Sequence, residues 1–378
     1  MIRTDHPEAL YVHVPFCRSI CAYCDFTHEP YRIERADAWL KALKQELSAR
    51  VRSASLKTIY LGGGTPTALS LTQLEALLSM LDPYAEEAEE YTIEVNPETL
   101  DEAKAECLAR HRINRVSIGY QSDNPELLAL MNRHHSYEDT AACMELLRRH
   151  GIANLSLDLM YSLPGQTMAQ LQQAVYHAMD LKPAHLSLYS LTIEQGTAFA
   201  ARKLNHLDDD AEADMYEWIC RTLPEHGYQQ YEISNFALRG YESRHNLMYW
   251  NYRDFYGISA GASGKEGLLR YDHGTLKEYL EDPLAVKKIL LSEADARFEM
   301  VMMSLRLVRG LDRKLFQETF GIDVNEVYGS VISRLLQKGW LKEEERYLAC
   351  TKKSYEILNT VLEEFLPEVS CRTKRNFA

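Results

Sequence analysis

What this chain has little of already narrows its class. No apolar run reaches the roughly 18–20 residues that a membrane-spanning helix needs, and the opening MIRTDHPEAL does not read as a secretory signal. The expected location is the cytosol. Only 18 of 378 residues are Gly and 12 are Pro, which excludes collagen-like and low-complexity chains. Positive charge is in deficit: 42 Lys and Arg against 55 Asp and Glu give −13, so no nucleic-acid partner is expected. What is there, 46% hydrophobic and 26% charged residues, is ordinary for a globular protein. At about 150 residues per domain the length suits two to three domains, or one barrel with additions.

Cysteine is the exception to this ordinariness. Cys107, Cys143, Cys220, Cys350 and Cys371 are scattered singly and read as small buried hydrophobes or surface thiols. Cys17, Cys21 and Cys24 lie within eight residues of one another, and a disulfide framework is not expected in a reducing cytosol.

The first half alternates strand-like and helix-like runs. Strands are expected at Leu10–Phe16, Lys57–Leu61, Tyr91–Asn96, Arg115–Gln121, Asn154–Tyr161 and His185–Ile193. Helical periodicity marks Arg35–Arg50, Leu71–Leu81, Asp101–Arg110, Tyr137–His150 and Met168–Leu181. Such alternation predicts an α/β fold with a parallel sheet, either a full or partial barrel or a doubly wound sheet, with ligands at the carboxyl ends of the strands. Residues 194–290 break the rhythm and read as an irregular, aromatic extension. Beyond Ser292, helices at Ala296–Leu307, Asp312–Phe320 and Val324–Lys338, two short runs (Trp340–Lys342, Tyr347–Cys350) and a last helix to Leu366 resemble a winged helix. Its third helix offers only Arg334 and Lys338 as cations, so a structural or protein-contact role is favoured over DNA. The expected division is 1–205, 206–290 and 291–378.

The three clustered cysteines follow a strand and Pro15 with the spacing C-x3-C-x2-C, which argues for a loop rather than a helix face. Three thiolates on one loop need a soft cation. Spacing alone leaves two candidates: zinc completed by His28, or an iron–sulfur cluster with one iron left open. GGGTPT (Gly62 to Thr67) is a Gly-rich turn before a Ser70 cap, without the Lys of a P-loop. Glu94 and Asp158 stand at strand ends, where two carboxylates could alternatively be a glycosidase pair, although that leaves the cysteines unexplained.

Taken together these motifs resemble the radical S-adenosylmethionine (SAM) superfamily: C-x3-C-x2-C after a first strand, Tyr23 before the last cysteine, and a Gly-rich motif behind it. The resemblance implies a partial parallel (β/α)6 barrel and a 4Fe–4S cluster on Cys17, Cys21 and Cys24. It implies a SAM site formed by Tyr11, Tyr23, Gly63, Gly64, Thr65, Glu94, Gln121, Arg133, Asp158 and Thr192. YVHVPFCRSICAYCDF, LGGGTPT, IEVNPE, SIGYQS and LDLMYSLPGQT, in that order, resemble oxygen-independent coproporphyrinogen III dehydrogenases (HemN-like) and, more closely, HemW-type haem chaperones. The dehydrogenases carry a further cysteine where this chain has Phe26, and their N-terminal extension is missing, so porphyrinogen decarboxylation is in doubt. HNLMYW (His245 to Trp250) resembles the chaperones' haem-linked motif, which implies His245 as a haem contact. Implied partners are haem or a porphyrin, haem-accepting proteins, and a flavodoxin or ferredoxin as electron donor. The basic tail (Arg372, Lys374, Arg375) reads first as solvated charge, with an acidic partner or a peripheral membrane contact as the alternative.

Overall fold

Runs of β-branched, aromatic and leucine residues that stop at Gly, Pro, Asn, Gln or Ser make six strands in the computed structural model, which describes residues 6–52 and 56–366. They are β1 (Ala9–Val14), β2 (Thr58–Gly63), β3 (Glu90–Val95), β4 (Arg115–Gln121), β5 (Asn154–Tyr161) and β6 (His185–Ser190). All pair in parallel and in chain order. Helices α1 (Ile33–Arg50), α2 (Leu71–Leu81), α3 (Glu102–Arg110), α4 (Tyr137–Arg149) and α5 (Met168–Asp180) make the crossovers. Capping boxes start three of them: Ser70 with Gln73, Ser136 with Asp139, and Thr167 with Gln170. Each such cap is worth about 1 kcal/mol. Cys371 and the tail cations Arg372, Lys374 and Arg375 lie outside the described residues.

Strand alternation separates two chemistries. One face carries Leu10, Val12, Ile59, Leu61, Ile93, Val116, Ile118, Leu155, Leu157 and Leu186, which pack with Leu43, Leu47, Leu74 and Leu77 of the helices in one core. Burying each such side chain contributes roughly 1.5–3 kcal/mol. The opposite face is polar by register: Tyr11 lies beside Tyr60 and Thr92, and Glu94 beside Ser117, Ser156 and His185. Parallel strands covered on both faces are normally apolar throughout. Here the inner face lines a cavity, and polar side chains line it.

Residues 194–290 are not irregular, contrary to the expectation from sequence. Phe255–Ile258 adds in parallel to β1, and Ser263–Glu266, Leu269–Asp272 and Lys287–Leu290 extend that edge as an antiparallel meander. Asn235–Ala237 and Gln229–Gln230 extend the edge beyond β6. The two edge strands of the barrel, β1 and β6, thus pair outward rather than with each other, and the barrel is partial. These added strands are two to four residues long and interrupted by glycine, too short for period-two alternation to register. The glycines answer to crowding: a Cβ at Gly257 would lie 1.7 Å from the Ser263 carbonyl oxygen, and one at Gly264 would lie 2.2 Å from the Tyr271 ring.

The chain divides into two units, the larger being the sheet and its helices through Leu290, without residues 250–252. The smaller holds residues 250–252 and the chain from Leu291. Within it, Ser304 donates to the Trp250 carbonyl at 3.1 Å. Helices Glu293–Ser304, Arg313–Phe320 and Val324–Gln337 accompany a three-stranded antiparallel sheet with Tyr347–Cys350 at its centre, a winged-helix-like arrangement. Arg334 and Lys338, the two cations of the third helix, both pair with Glu364, at 2.6 and 2.7 Å. The segment expected as one last helix is two short ones, Lys352–Tyr355 and Leu358–Glu363, because Ile357 leaves helical geometry at φ −114°, ψ 27°. No described helix is long and apolar enough to cross a membrane.

Candidate cofactor cavity and cysteine loop

β1 delivers the chain to Pro15, and the cysteine loop begins at a clasped neck. Phe16 and Cys17 pair in parallel with Glu29 and Pro30. Glu29 N–H donates to the Pro15 carbonyl at 2.8 Å, and Tyr31 N–H to that of Cys17 at 2.9 Å. The far end is held as well: Ala22 N–H donates to Met131 O, and Phe199 N–H to Ala22 O, both at 2.9 Å. Asn132 donates its amide to Ile20 O at 2.7 Å. Ala22 is buried among Leu127, Leu128, Met131 and Phe199. From inside the barrel His13 donates Nε2–H to the Thr27 carbonyl at 2.7 Å, so its Nδ1 accepts from Tyr11 OH at 2.9 Å. Burial lowers the pKa of His13, in keeping with that neutral tautomer.

Each of the three sulfurs has its own polar neighbour. Thr65 Oγ1–H points to Cys17 Sγ at 3.9 Å, Arg133 Nη1 to Cys21 Sγ at 3.7 Å, and His28 Nδ1 lies 3.8 Å from Cys24 Sγ. Burial pushes the Cys17 thiol up to about 12 and Cys24 to about 11. Both therefore stay protonated at neutral pH unless a cation takes the proton's place. No group of three or more His, Cys, Asp or Glu among the described residues is close enough to share one metal ion. A tetrahedral zinc with about 2.3 Å bonds to sulfur needs such a group, and a cluster that gives each thiolate its own iron does not. The donor set fits the cluster, and the Cys3His zinc alternative through His28 is not supported.

Behind the loop, β2 ends in the glycines. Gly63 has φ +107°, and a Cβ there would sit 2.3 Å from the His13 ring; one on Gly64 would meet Phe16 O at 2.6 Å. Bare backbone is thus required between the strand and the cysteine loop. Gly63 N–H and Tyr60 OH donate to the two oxygens of Glu94, at 3.0 and 2.8 Å. Enclosure still raises the Glu94 carboxyl to about 7, with the nearby Asp158 charge adding to the effect and the Tyr60 and Gly63 bonds opposing it. Asp158 accepts from Ser117 Oγ at 2.9 Å, and burial raises its pKa too.

Arg133 follows a short helix, Pro125–Leu130, and reaches back across the strand ends. It donates to Asn96 Oδ1 at 2.9 Å and to Gly119 O at 2.7 Å, while its buried Nε has no partner among the described residues. Asn96 passes the contact on to Thr65 Oγ1 at 3.0 Å. A register shift between Gly119 and Gln121 ends β4, and Gln121 is left-handed at φ 60°. Such a bulge re-aims a side chain at a strand end.

These groups enclose one cavity of about 430 Å³. Cys17, Cys21, Cys24, Tyr23, Gly63, Gly64, Thr65, Glu94, Gln121, Arg133, Asp158 and Thr192 all line it, so twelve of the fourteen residues that the family resemblance implies meet at one place. Asn96, Tyr60 and Ser117 line it as well and were missed. Asn96 sits in IEVNPE before Pro97, and that position at a strand end was its available signal; Tyr60 and Ser117 read only as strand residues.

Two expected residues lie elsewhere. Tyr11 and His245 line a separate pocket of about 260 Å³ with Tyr60, Tyr249 and Phe255. His245 is 1% exposed, with Nδ1 bonded to Thr58 Oγ1 at 2.9 Å and Nε2 to Tyr249 OH at 2.7 Å. Burial, helped by the Arg115 charge, lowers its pKa to about 3. Both ring nitrogens are thus engaged by hydroxyls. His245 as placed is held from both sides by the Thr58 and Tyr249 side chains.

Comparison with known proteins agrees with this geometry. Residues 11–176 match the Radical SAM superfamily, and residues 291–355 match the HemN C-terminal domain. The heme chaperone HemW of Lactococcus lactis is 37% identical over 95% of this chain and 97% of its own length. That of Bacillus subtilis is 36% identical over 96% and 100%, and that of Escherichia coli 34% over 96% and 99%. The structure of coproporphyrinogen III oxidase (HemN) from Escherichia coli, a radical SAM enzyme, superposes with a TM-score of 0.82 over 96% of this chain and 90% of that one. At 24% identity it speaks for the fold.

Proposed function

Since the chain belongs to the HemW family within the radical SAM superfamily, we propose that it is a 4Fe–4S protein that binds SAM, takes up haem in the cytosol and delivers it to haem-accepting proteins. The observation that carries the reading is the convergence of three clasped thiols and the strand-end polar groups on one cavity.

Cys17, Cys21 and Cys24 would hold the cluster, on a half-buried loop. When bound, the cluster supplies one-electron chemistry to SAM. Arg133 is the cation available to the SAM carboxylate, and its Cys21 contact places it beside the cluster. Gly63, Gly64 and Thr65 present backbone and a hydroxyl without side-chain obstruction. Glu94 would be the acceptor for a ribose hydroxyl and the anion available to the sulfonium charge, while Gln121, Asp158, Tyr23 and Thr192 complete the lining. A flavodoxin or ferredoxin supplies the electron. Phe26, in place of the further cysteine of the dehydrogenases, favours carriage of haem over porphyrinogen decarboxylation.

Anaerobic purification followed by iron, sulfide and haem assays tests this reading. We expect near four irons and four sulfides per chain, lost in Cys24→Ala, and haem bound on titration. Formation of protoporphyrinogen from coproporphyrinogen, SAM and reductant would overturn the chaperone assignment.

A further inference from the structure

Among the described residues, His28 is the only histidine lining the large cavity. Its Nδ1 lies 2.5 Å from the Phe26 carbonyl, which can only accept, so Nδ1 carries the ring proton. The same N–H faces Cys24 Sγ at 3.8 Å. The tautomer is thereby fixed with the lone pair on Nε2, and Nε2 has no partner among the described residues. That is the state of a histidine ready to ligate a metal: one nitrogen oriented by a carbonyl, the other open.

Two large aromatic side chains of the same cavity lining stand open. Phe26, two residues away and on the same cavity wall, is 63% exposed. Tyr189, which also lines the cavity, is 42% exposed. Aromatic surface left open beside an unpartnered imidazole suits a flat apolar macrocycle with a metal at its centre. The rival histidine, His245, has both nitrogens engaged.

We propose that haem, as cargo, docks at the mouth of the cluster cavity with His28 Nε2 as its axial ligand and Phe26 against the porphyrin face. This rests on the haem-carrying reading above and assigns the site within it. A haem held there stands beside Cys24, so uptake and release are exposed to the state of the neighbouring cluster.

The test titrates haem into the cluster-loaded full chain and follows the Soret band and the EPR signature of the ferric iron. His28→Gly is expected to bind haem about tenfold more weakly or worse, with a shifted Soret band that returns on adding free imidazole. Phe26→Ser, at an exposed position, is expected to weaken binding while leaving the axial signature in place. Iron and sulfide contents measured in parallel show that the cluster is retained. Unchanged affinity and spectra in His28→Gly overturn the site while the haem-carrying function stands. A wild-type chain that binds no haem overturns both.

Discussion

Glu94 gives the sharpest test of how the cavity works. Its carboxyl is raised from the usual 4.5 to about 7 by enclosure. Ionisation is therefore about nine-tenths complete at pH 8 and about one-tenth at pH 6. If the anion accepts from a ribose hydroxyl and faces the sulfonium, its share of SAM affinity falls about tenfold between those pH values. Glu94→Gln keeps the shape and an acceptor for Gly63 N–H but cannot ionise. Losing a charge-assisted acceptor, about 1.5–3 kcal/mol, should weaken SAM about 10- to 100-fold at pH 8. The mutant should show a shallower pH profile than wild type. Stability moves the other way. An acid whose folded pKa lies above its unfolded value destabilises the fold as pH rises from about 4.5 through 7. For a shift of this size the loss is about 3 kcal/mol. Cofactor-free Glu94→Gln should accordingly be more stable than wild type at pH 8 and indistinguishable from it at pH 4. Equilibrium SAM binding at pH 6, 7 and 8 and denaturant melts at pH 4 and 8 measure both effects. Parallel pH profiles for the two proteins, or a mutant no more stable at pH 8, would refute the assignment of Glu94 as a strained, SAM-facing carboxylate.

Three further outcomes follow from the geometry. Gly63→Ala combines a left-handed backbone with a Cβ 2.3 Å from His13, and should cost about 2–4 kcal/mol in denaturant melts and lower the iron bound after reconstitution. His245→Ala strips partners from Thr58 and Tyr249, so it should destabilise by about 2–4 kcal/mol, while the Soret band of haem-loaded protein stays in place. Arg133→Gln removes the cation beside Cys21. The cluster's midpoint potential, read by EPR-monitored redox titration, should fall because the reduced cluster loses a stabilising charge; a rise would contradict the contact.

The cavity was largely legible because its chemistry is written in short contiguous motifs at strand ends, where parallel α/β folds gather ligands. Cys17 to Cys24 and Gly62 to Thr67 each lie where a strand gives way to a turn, and Glu94 is the penultimate residue of β3, so sequence position alone brings them to the rim. Tyr11 and His245 lie outside that cavity, each for its own reason. Tyr11 belongs to an inward layer one step down the barrel, and its hydroxyl is taken by His13. His245 sits in an attractive hexapeptide, but what its ring meets, Thr58 and Tyr249, depends on a helix packed 187 residues away from β2 in sequence. Asn96 escaped notice because a single Asn before proline reads as a turn, and only the fold brings Arg133 to it. The extension's strands were invisible because pairing with β1 and β6, rather than any pattern of their own, makes them strands.

The clasp at the neck of the cysteine loop bears on how the protein is matured. A zinc finger is a slack chain until its ion arrives, so metal uptake and folding are one event. Here backbone ladders and a carbonyl held by His13 shape the receptacle beforehand. The entropic cost of gathering the ligands is met by the barrel, and a carrier that brings a preassembled inorganic core finds a rigid seat. Stripping that core should empty the seat without melting the scaffold, so the vacant protein persists as a recipient that can be refilled.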